Sequence, residues 1–129
     1  MAFGTLAFDT LSVSGAITGT AKSVNADYLA AGTAKYRIQY NGSTNAVNDS
    51  LNHSSFTDNG TGDYTLAFTN SFTDTSYSCV GANRSPGGTA GGPDQFDHSA
   101  ASVRNYLFNS SISGYDGTQA SVIISGNLA

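Results

Sequence analysis

Two runs of alternating residues constrain this chain more than anything else in it. In the first, Tyr36, Ile38 and Tyr40 alternate with Lys35, Arg37 and Gln39. In the second, Tyr64, Leu66 and Phe68 alternate with Thr65, Ala67 and Thr69. A period of two puts every large apolar side chain on one face of a β-strand, whereas a helix would scatter them around its surface. Between the runs lies Asp58-Asn59-Gly60-Thr61-Gly62-Asp63. Asn-Gly tolerates the positive φ that a tight hairpin demands, so this segment predicts a turn.

The remaining strands follow from the same signals. Strands are predicted over 34–40, 46–51, 54–57, 64–69, 77–82, 103–108 and 119–125. Asn41-Gly42 and Asp116-Gly117 read as further hairpin turns. Val122, Ile123 and Ile124 are consecutive, which predicts burial on both faces of the last strand, between its sheet and a subunit. About seven short strands with turns between them predict an all-β fold, an antiparallel β-sandwich or jelly-roll domain.

Composition supports this and narrows the partners. The chain has 129 residues, one domain's worth, with no Glu and only five Lys and Arg. Straight-chain helix formers are therefore scarce. The formal charge is −4, and Lys22, Lys35, Arg37, Arg84 and Arg104 are dispersed along the chain. Phosphate backbones require clustered cations, so nucleic acid is not expected as a partner. Cys79 is the single cysteine, which excludes an intrachain disulfide framework and reads as a small buried apolar residue. No stretch is long and apolar enough to cross a membrane, and no membrane partner is expected. Residues 1–8 lack a basic start and an apolar run, so synthesis without a cleaved leader is expected.

Two segments stand apart from the strand pattern. Residues 1–32 carry Phe3, Leu6, Phe8, Leu11, Val13 and Ile17 among Thr, Ser, Ala and Gly. That is too little apolar surface to fold alone, and the segment reads as an extended N-terminal arm or stalk for attachment and trimerisation. The alternative is that it supplies the first strands of the domain. Residues 24–32 allow a short helical turn. The domain proper then spans 33–129. Within it, residues 83–99 contain Pro86, Pro93, Gly87-Gly88 and Gly91-Gly92, and predict a long loop. A loop of that length in a compact domain is functional or mobile.

No catalytic constellation is legible. There is no G-x-S-x-G element, and no pair stands out among the nine Asp. A calcium loop starting at Asp58 fails, because Thr69 stands where the bidentate Glu is needed. Asp94, Asp97 and His98 lack the nitrogen and sulfur ligands that zinc prefers. Neither a metal nor a cofactor is expected, and the chain is read as non-enzymatic. Aromatic rings stack on sugars, and polar side chains bond to hydroxyls. The candidate glycan contacts are accordingly Arg84, Asp94, Gln95, Phe96, Asp97, His98 and Tyr115. Tyr36, Tyr64, Phe68 and Phe108 are assigned to the core.

Three runs carry a resemblance. They are Tyr28-Leu29-Ala30-Ala31-Gly32-Thr33-Ala34-Lys35, Asp49-Ser50-Leu51-Asn52, and Thr57-Asp58-Asn59-Gly60-Thr61-Gly62-Asp63-Tyr64-Thr65. With Phe3-Gly4-Thr5-Leu6 and Asp9-Thr10-Leu11, they resemble a module of tailed-phage fibre proteins, particularly of marine and cyanobacterial phages. The likeness covers roughly residues 1–82. It departs at Tyr36, where that family usually has Trp, and at residues 83–99, where it varies. It implies a virion structural protein displayed on the particle surface, made in the host bacterial cytoplasm and trimeric. The implied partners are itself, other tail or capsid proteins, and a host-surface glycan. A short fibre or fibre tip, a capsid-decorating head fibre and a stand-alone carbohydrate-binding module are the competing expectations.

Overall fold

The structure is a computed structural model that describes residues 16–18, 23–25, 30, 32–84 and 95–129. Ten strands are assigned: β1 (Ala16–Thr18), β2 (Ser23–Asn25), β3 (Ala34–Asn41), β4 (Ala46–Leu51), β5 (His53–Gly60), β6 (Asp63–Phe68), β7 (Ser78–Arg84), β8 (Gln95–His98), β9 (Ser102–Tyr106) and β10 (Gln119–Ser125). Strands β1 and β2 pair with each other antiparallel. The other eight form two four-stranded sheets, β4-β3-β10-β7 and β5-β6-β9-β8, with every neighbouring pair antiparallel. The expected all-β sandwich is the observed fold.

The two alternating runs build the centre of it. β3 turns Tyr36, Ile38 and Tyr40 inward, and β6 turns Tyr64, Leu66 and Phe68 inward to meet them. Val103, Leu107, Ala120, Val122 and Ile124 fill the remaining interior, with Phe72 and Tyr77 closing one end. Rings meet edge-on where the sheets face each other: Tyr36 and Phe68 at 4.8 Å between centroids, Tyr40 and Tyr64 at 5.2 Å. That geometry sets the positive edge of one ring against the negative face of the next.

Alternation resolves the last strand. Val122 and Ile124 are fully buried, but Ile123 between them is 53% exposed. Burial on both faces, expected from three consecutive apolar residues, is therefore not seen within the single chain. Ile123 lies on the outer face, opposite Arg37 on one side and Val80 on the other.

The strand directions give the sandwich two distinct ends. β3 begins at Ala34 and runs to Asn41, and the antiparallel pairing fixes all the others against it. At the base lie Ala34, the break at Asn52, the connection 69–77, residues 99–101 and Ala129, whose N–H bonds to Ser71 O at 2.9 Å. At the top lie the turn 42–45, the turn at 61–62, Arg84, Gln95 and the connection 107–118. Asn52 staples the base: it adopts φ 60°, its amide donates to Asn70 O at 3.0 Å, and its Oδ1 accepts the Asn70 N–H at 2.7 Å. A short polar side chain is suited to that left-handed conformation.

Three turn expectations change. The first hairpin pivots on Thr61-Gly62, not on Asn59-Gly60, because β5 continues to Gly60 and pairs with Asp63 across a bulge. Asp116-Gly117 makes no hairpin, since β9 and β10 belong to different sheets. The expected loop over 83–99 is strand at both ends, β7 reaching Arg84 and β8 beginning at Gln95. Within the two four-stranded sheets, β8 is the strand that was not expected; its residues Gln95-Phe96-Asp97-His98 follow a Gly- and Pro-rich run that masks a four-residue alternation. Phe3, Leu6, Phe8, Leu11 and Val13 lie outside the described residues, as does the side chain of Ile17. Within the segment 24–32, Val24 is extended in β2 while Ala30 and Gly32 are helical.

Candidate functional site

Arg84 at the end of β7 and Gln95 at the start of β8 both lie at the top, and the elements beside Arg84 are tied together from three sides. The Gly42 N–H bonds to Gly117 O at 2.8 Å, the Ser43 hydroxyl to Asp116 O at 2.8 Å, and the Thr118 N–H to Arg84 O at 3.1 Å. Asn45 Nδ2 donates to Asp58 Oδ2 at 2.8 Å, while Asp58 Oδ1 caps the Gly60 N–H at 2.9 Å. The Tyr115 hydroxyl bonds to Asn83 Oδ1, anchoring the 107–118 connection to β7 beside Arg84. Arg84 is therefore held within a bonded rim, while Gln95 is placed by its pairing with Tyr106.

The structure disperses the candidate contacts instead of gathering them in one loop. Asp94 lies outside the described residues. Arg84 points outward from the end of β7. Gln95 and Asp97 point outward from β8, on the other sheet. Phe96 and Tyr115 are half-buried and pack against the core. His98 lies over Tyr77 at 4.5 Å and 12°, with its Nδ1 3.2 Å from Thr75 O near the base. Burial pushes the Tyr77 hydroxyl up to about 12, so that ring is held neutral.

Asp97 belongs to a network that the sequence did not single out. On the outer face of β5-β6-β9-β8, the Tyr106 hydroxyl donates to Asp97 Oδ2 at 2.8 Å. Arg104 grips Asp63 with two bonds, Nε to Oδ1 at 2.8 Å and Nη2 to Oδ2 at 2.5 Å. Its guanidinium lies 5.1 Å from the centre of the Tyr106 ring. Asn59 Nδ2 reaches both Asp63 Oδ1, at 3.2 Å, and Thr65 Oγ1, at 2.9 Å. The Arg104 bonds hold the Asp63 carboxyl below the usual carboxylate range, and the Asp97 bond raises the Tyr106 hydroxyl. These residues lie far apart in sequence, and only the register Asp97↔Arg104↔Thr65 brings them into one row. The result is a flat, ordered surface of hydroxyl, amide and carboxylate groups around one aromatic ring.

Such a surface can hold a polyhydroxylated ligand by exchanging hydrogen bonds. Among the described residues, His53 Nδ1 is 3.0 Å from the Tyr36 hydroxyl, and His98 contacts Thr75 O and the Tyr77 ring. Burial holds His53 below the usual imidazole value, so it is a neutral partner for that hydroxyl. Comparison of the chain with family models, with curated protein sequences and with solved structures finds no match.

Proposed function

We propose that this chain is a non-enzymatic structural protein of a tailed-phage virion, a short trimeric fibre or fibre tip that displays its sandwich for attachment to a host-surface glycan. The sequence resemblance supplies the virion setting. The observation that carries the attachment reading is the polarity of the sandwich. The chain leads into β3 at the base, and the connection 85–94 leaves β7 at the top, one strand length away. For the eight residues of β3 that separation is about 25 Å. A segment before residue 32 then serves the particle, while the rim around Arg84 and Gln95 faces outward. The ordered polar face that includes Asp97 and Tyr106 reaches that rim through Gln95, which pairs with Tyr106.

Replacing residues 85–94 by a short Gly-Ser bridge tests this. The variant is expected to fold with an unchanged circular dichroism spectrum and to lose adsorption to host cells. Adsorption equal to that of the unaltered chain sinks the receptor role. A capsid-decorating protein uses the same polarity with the base on the head shell. Removing residues 1–20 separates the two: release from heads supports decoration, and continued co-purification with heads means that this segment is not the anchor. A stand-alone carbohydrate-binding module requires a monomer by native mass together with sugar affinity.

A further inference from the structure

The outer face of β4-β3-β10-β7 differs in charge from the rest of the molecule. Lys35 and Arg37 alternate outward from β3, and Arg84 points outward from β7. These are three of the four described basic residues, and Asp49 is the one acid paired among them, through Arg37. The face thus carries a formal +2 in a chain of net −4.

The same face is hollowed. A depression of about 260 Å³ is lined by Arg37, Gln39, Asp49, Ser121 and Ile123. A second, of about 170 Å³, is lined by Ala82, Arg84, Gln119 and Ser121. Ser121 lines both, so the two depressions adjoin at β10 and together make a shallow trough across β3, β10 and β7. Arg37 sits opposite Ile123 and Arg84 opposite Gln119, four residues apart along β10 and two strand spacings across. That places the two guanidinium-bearing positions about 16 Å apart. Beside the trough, Ile123 and Val80 are neighbours across β10 and β7, at 53% and 70% exposure.

We propose that this trough binds a linear acidic polysaccharide. Its carboxylates meet Arg37, Arg84 and Lys35, its hydroxyls meet Gln39, Gln119 and Ser121, and its C–H faces lie on Ile123 and Val80. Charge selects the ligand class, because a positive trough in an otherwise acidic protein draws anions to one face and repels them elsewhere. The wide spacing of cations suits a chain with one carboxylate per sugar. It does not suit a nucleic acid, which carries a charge about every 3.4 Å along each strand. The site is distinct from the top-rim attachment reading and shares only Arg84 with it.

Retention of the full chain on immobilised polygalacturonate tests the proposal, with the fully methyl-esterified polymer as the uncharged control. Binding is expected to the acid form only. It is expected to weaken steeply with salt, because the screening length falls from about 10 Å at 0.1 M to about 3 Å at 1 M. R37Q/R84Q is expected to lose at least tenfold in affinity, D49N to bind more tightly, and the 85–94 replacement to bind as the parent does. Arg37, Asp49 and Arg84 are exposed, and an unchanged melting temperature certifies the fold of each variant. Equal binding to the methyl ester, no binding at low salt, or unchanged binding by R37Q/R84Q overturns the proposal. Tighter binding of a single-stranded oligodeoxynucleotide overturns it in favour of nucleic acid. A dimer by native mass that dissociates in Ile123→Ser overturns it in favour of a second copy of the chain.

Discussion

The Tyr64 hydroxyl donates to Asp116 Oδ1 at 2.7 Å, and the same oxygen accepts the Gly62 N–H at 2.9 Å. Tyr64 is fully buried on β6, whereas Asp116 comes from the connection that leads from one sheet to the other. One carboxylate therefore fixes the hairpin turn, a core ring and the crossing segment together. Burial first, and the hydrogen bond to Asp116 second, push the Tyr64 hydroxyl well above its ordinary value, which keeps it a donor.

Asp116→Ala removes the shared acceptor and leaves a buried hydroxyl without it. Bonds to charged groups contribute about 1.5–3 kcal/mol, so the expected loss is about 2 kcal/mol. Asp116→Asn keeps an acceptor oxygen and is expected to lose less than half of that. Urea unfolding measures both, as a lowered midpoint at unchanged slope. An Asp116→Ala midpoint equal to that of the parent would show the latch to be idle.

The turn beneath this latch makes the second prediction. Gly62 has φ 72°, and a Cβ there would stand 2.7 Å from Leu107 O and 2.7 Å from Tyr115 N. Backbone strain alone costs about 1–3 kcal/mol, and here a backbone clash adds to it. Gly60 also has a positive φ, 134°, but nothing lies within 4 Å of its Cβ position. Gly62→Ala is therefore expected to destabilise more than Gly60→Ala, and to disturb the 107–118 connection as well. Paired melting curves test the order, and the reverse order would mean that local strain outweighs the close approach of the two segments.

That contrast shows what the sequence made legible and where it stopped. The alternation through Tyr36–Tyr40 and Tyr64–Phe68 specified the core strands, because only a sheet gives such a pattern a buried face. Gln119–Ser125 matches its expected bounds for the same reason, whereas Ala46–Leu51 matches although every residue in it is exposed. Turn chemistry was ambiguous, because Asn59-Gly60 and Thr61-Gly62 are both permissive and only pairing with β6 chooses between them. Asp116-Gly117 reads as a hairpin locally, but its carboxylate is claimed by residues more than fifty positions away. The Asp63–Arg104 and Asp97–Tyr106 pairs depend on cross-strand register, which short-range pattern does not reveal.

Inside the core, Asn105 is fully buried, and its Nδ2 donates to the Tyr40 hydroxyl at 2.9 Å while its Oδ1 has no partner. An unsatisfied buried polar group costs about 1–3 kcal/mol, so the pair is sensitive to losing one member. Tyr40→Phe strands the amide donor and is expected to cost about 1–2 kcal/mol. Once Asn105 is replaced by Leu, the same Tyr40→Phe change is expected to cost less. A double-mutant cycle reads the coupling directly. Additive effects would mean that the bond contributes nothing beyond its two side chains.

Along β10, alternation predicts two opposite responses from adjacent residues. Val122→Ala and Ile124→Ala each open a void in a filled interior and are expected to cost about 1.5–4 kcal/mol. Ile123→Ser removes exposed surface and is expected to stay within about 0.5 kcal/mol. Denaturant midpoints of the three variants test it. A large loss at Ile123 in the isolated chain would mean that another surface covers the residue in solution.

Acid sensitivity follows from Asp63. Its folded pKa lies below the ordinary value because Arg104 and Asn59 bond its carboxylate. Below the unfolded value of about 4 the unfolded chain binds more protons, so stability falls as pH drops. This contribution is fully present above that value and is lost as pH falls through the lowered, folded one. His53 adds a second step of the same sign, because burial lowers its folded pKa below the ordinary value near 6.5. Melting temperature is therefore expected to decline in two stages, below about pH 6.5 and again below about pH 4. Arg104→Gln is expected to flatten the lower stage and leave the upper one, and His53→Gln to do the reverse. Both variants are read in one pH series of thermal melts. If Arg104→Gln leaves the lower stage at full amplitude, the acid sensitivity resides in other carboxylates.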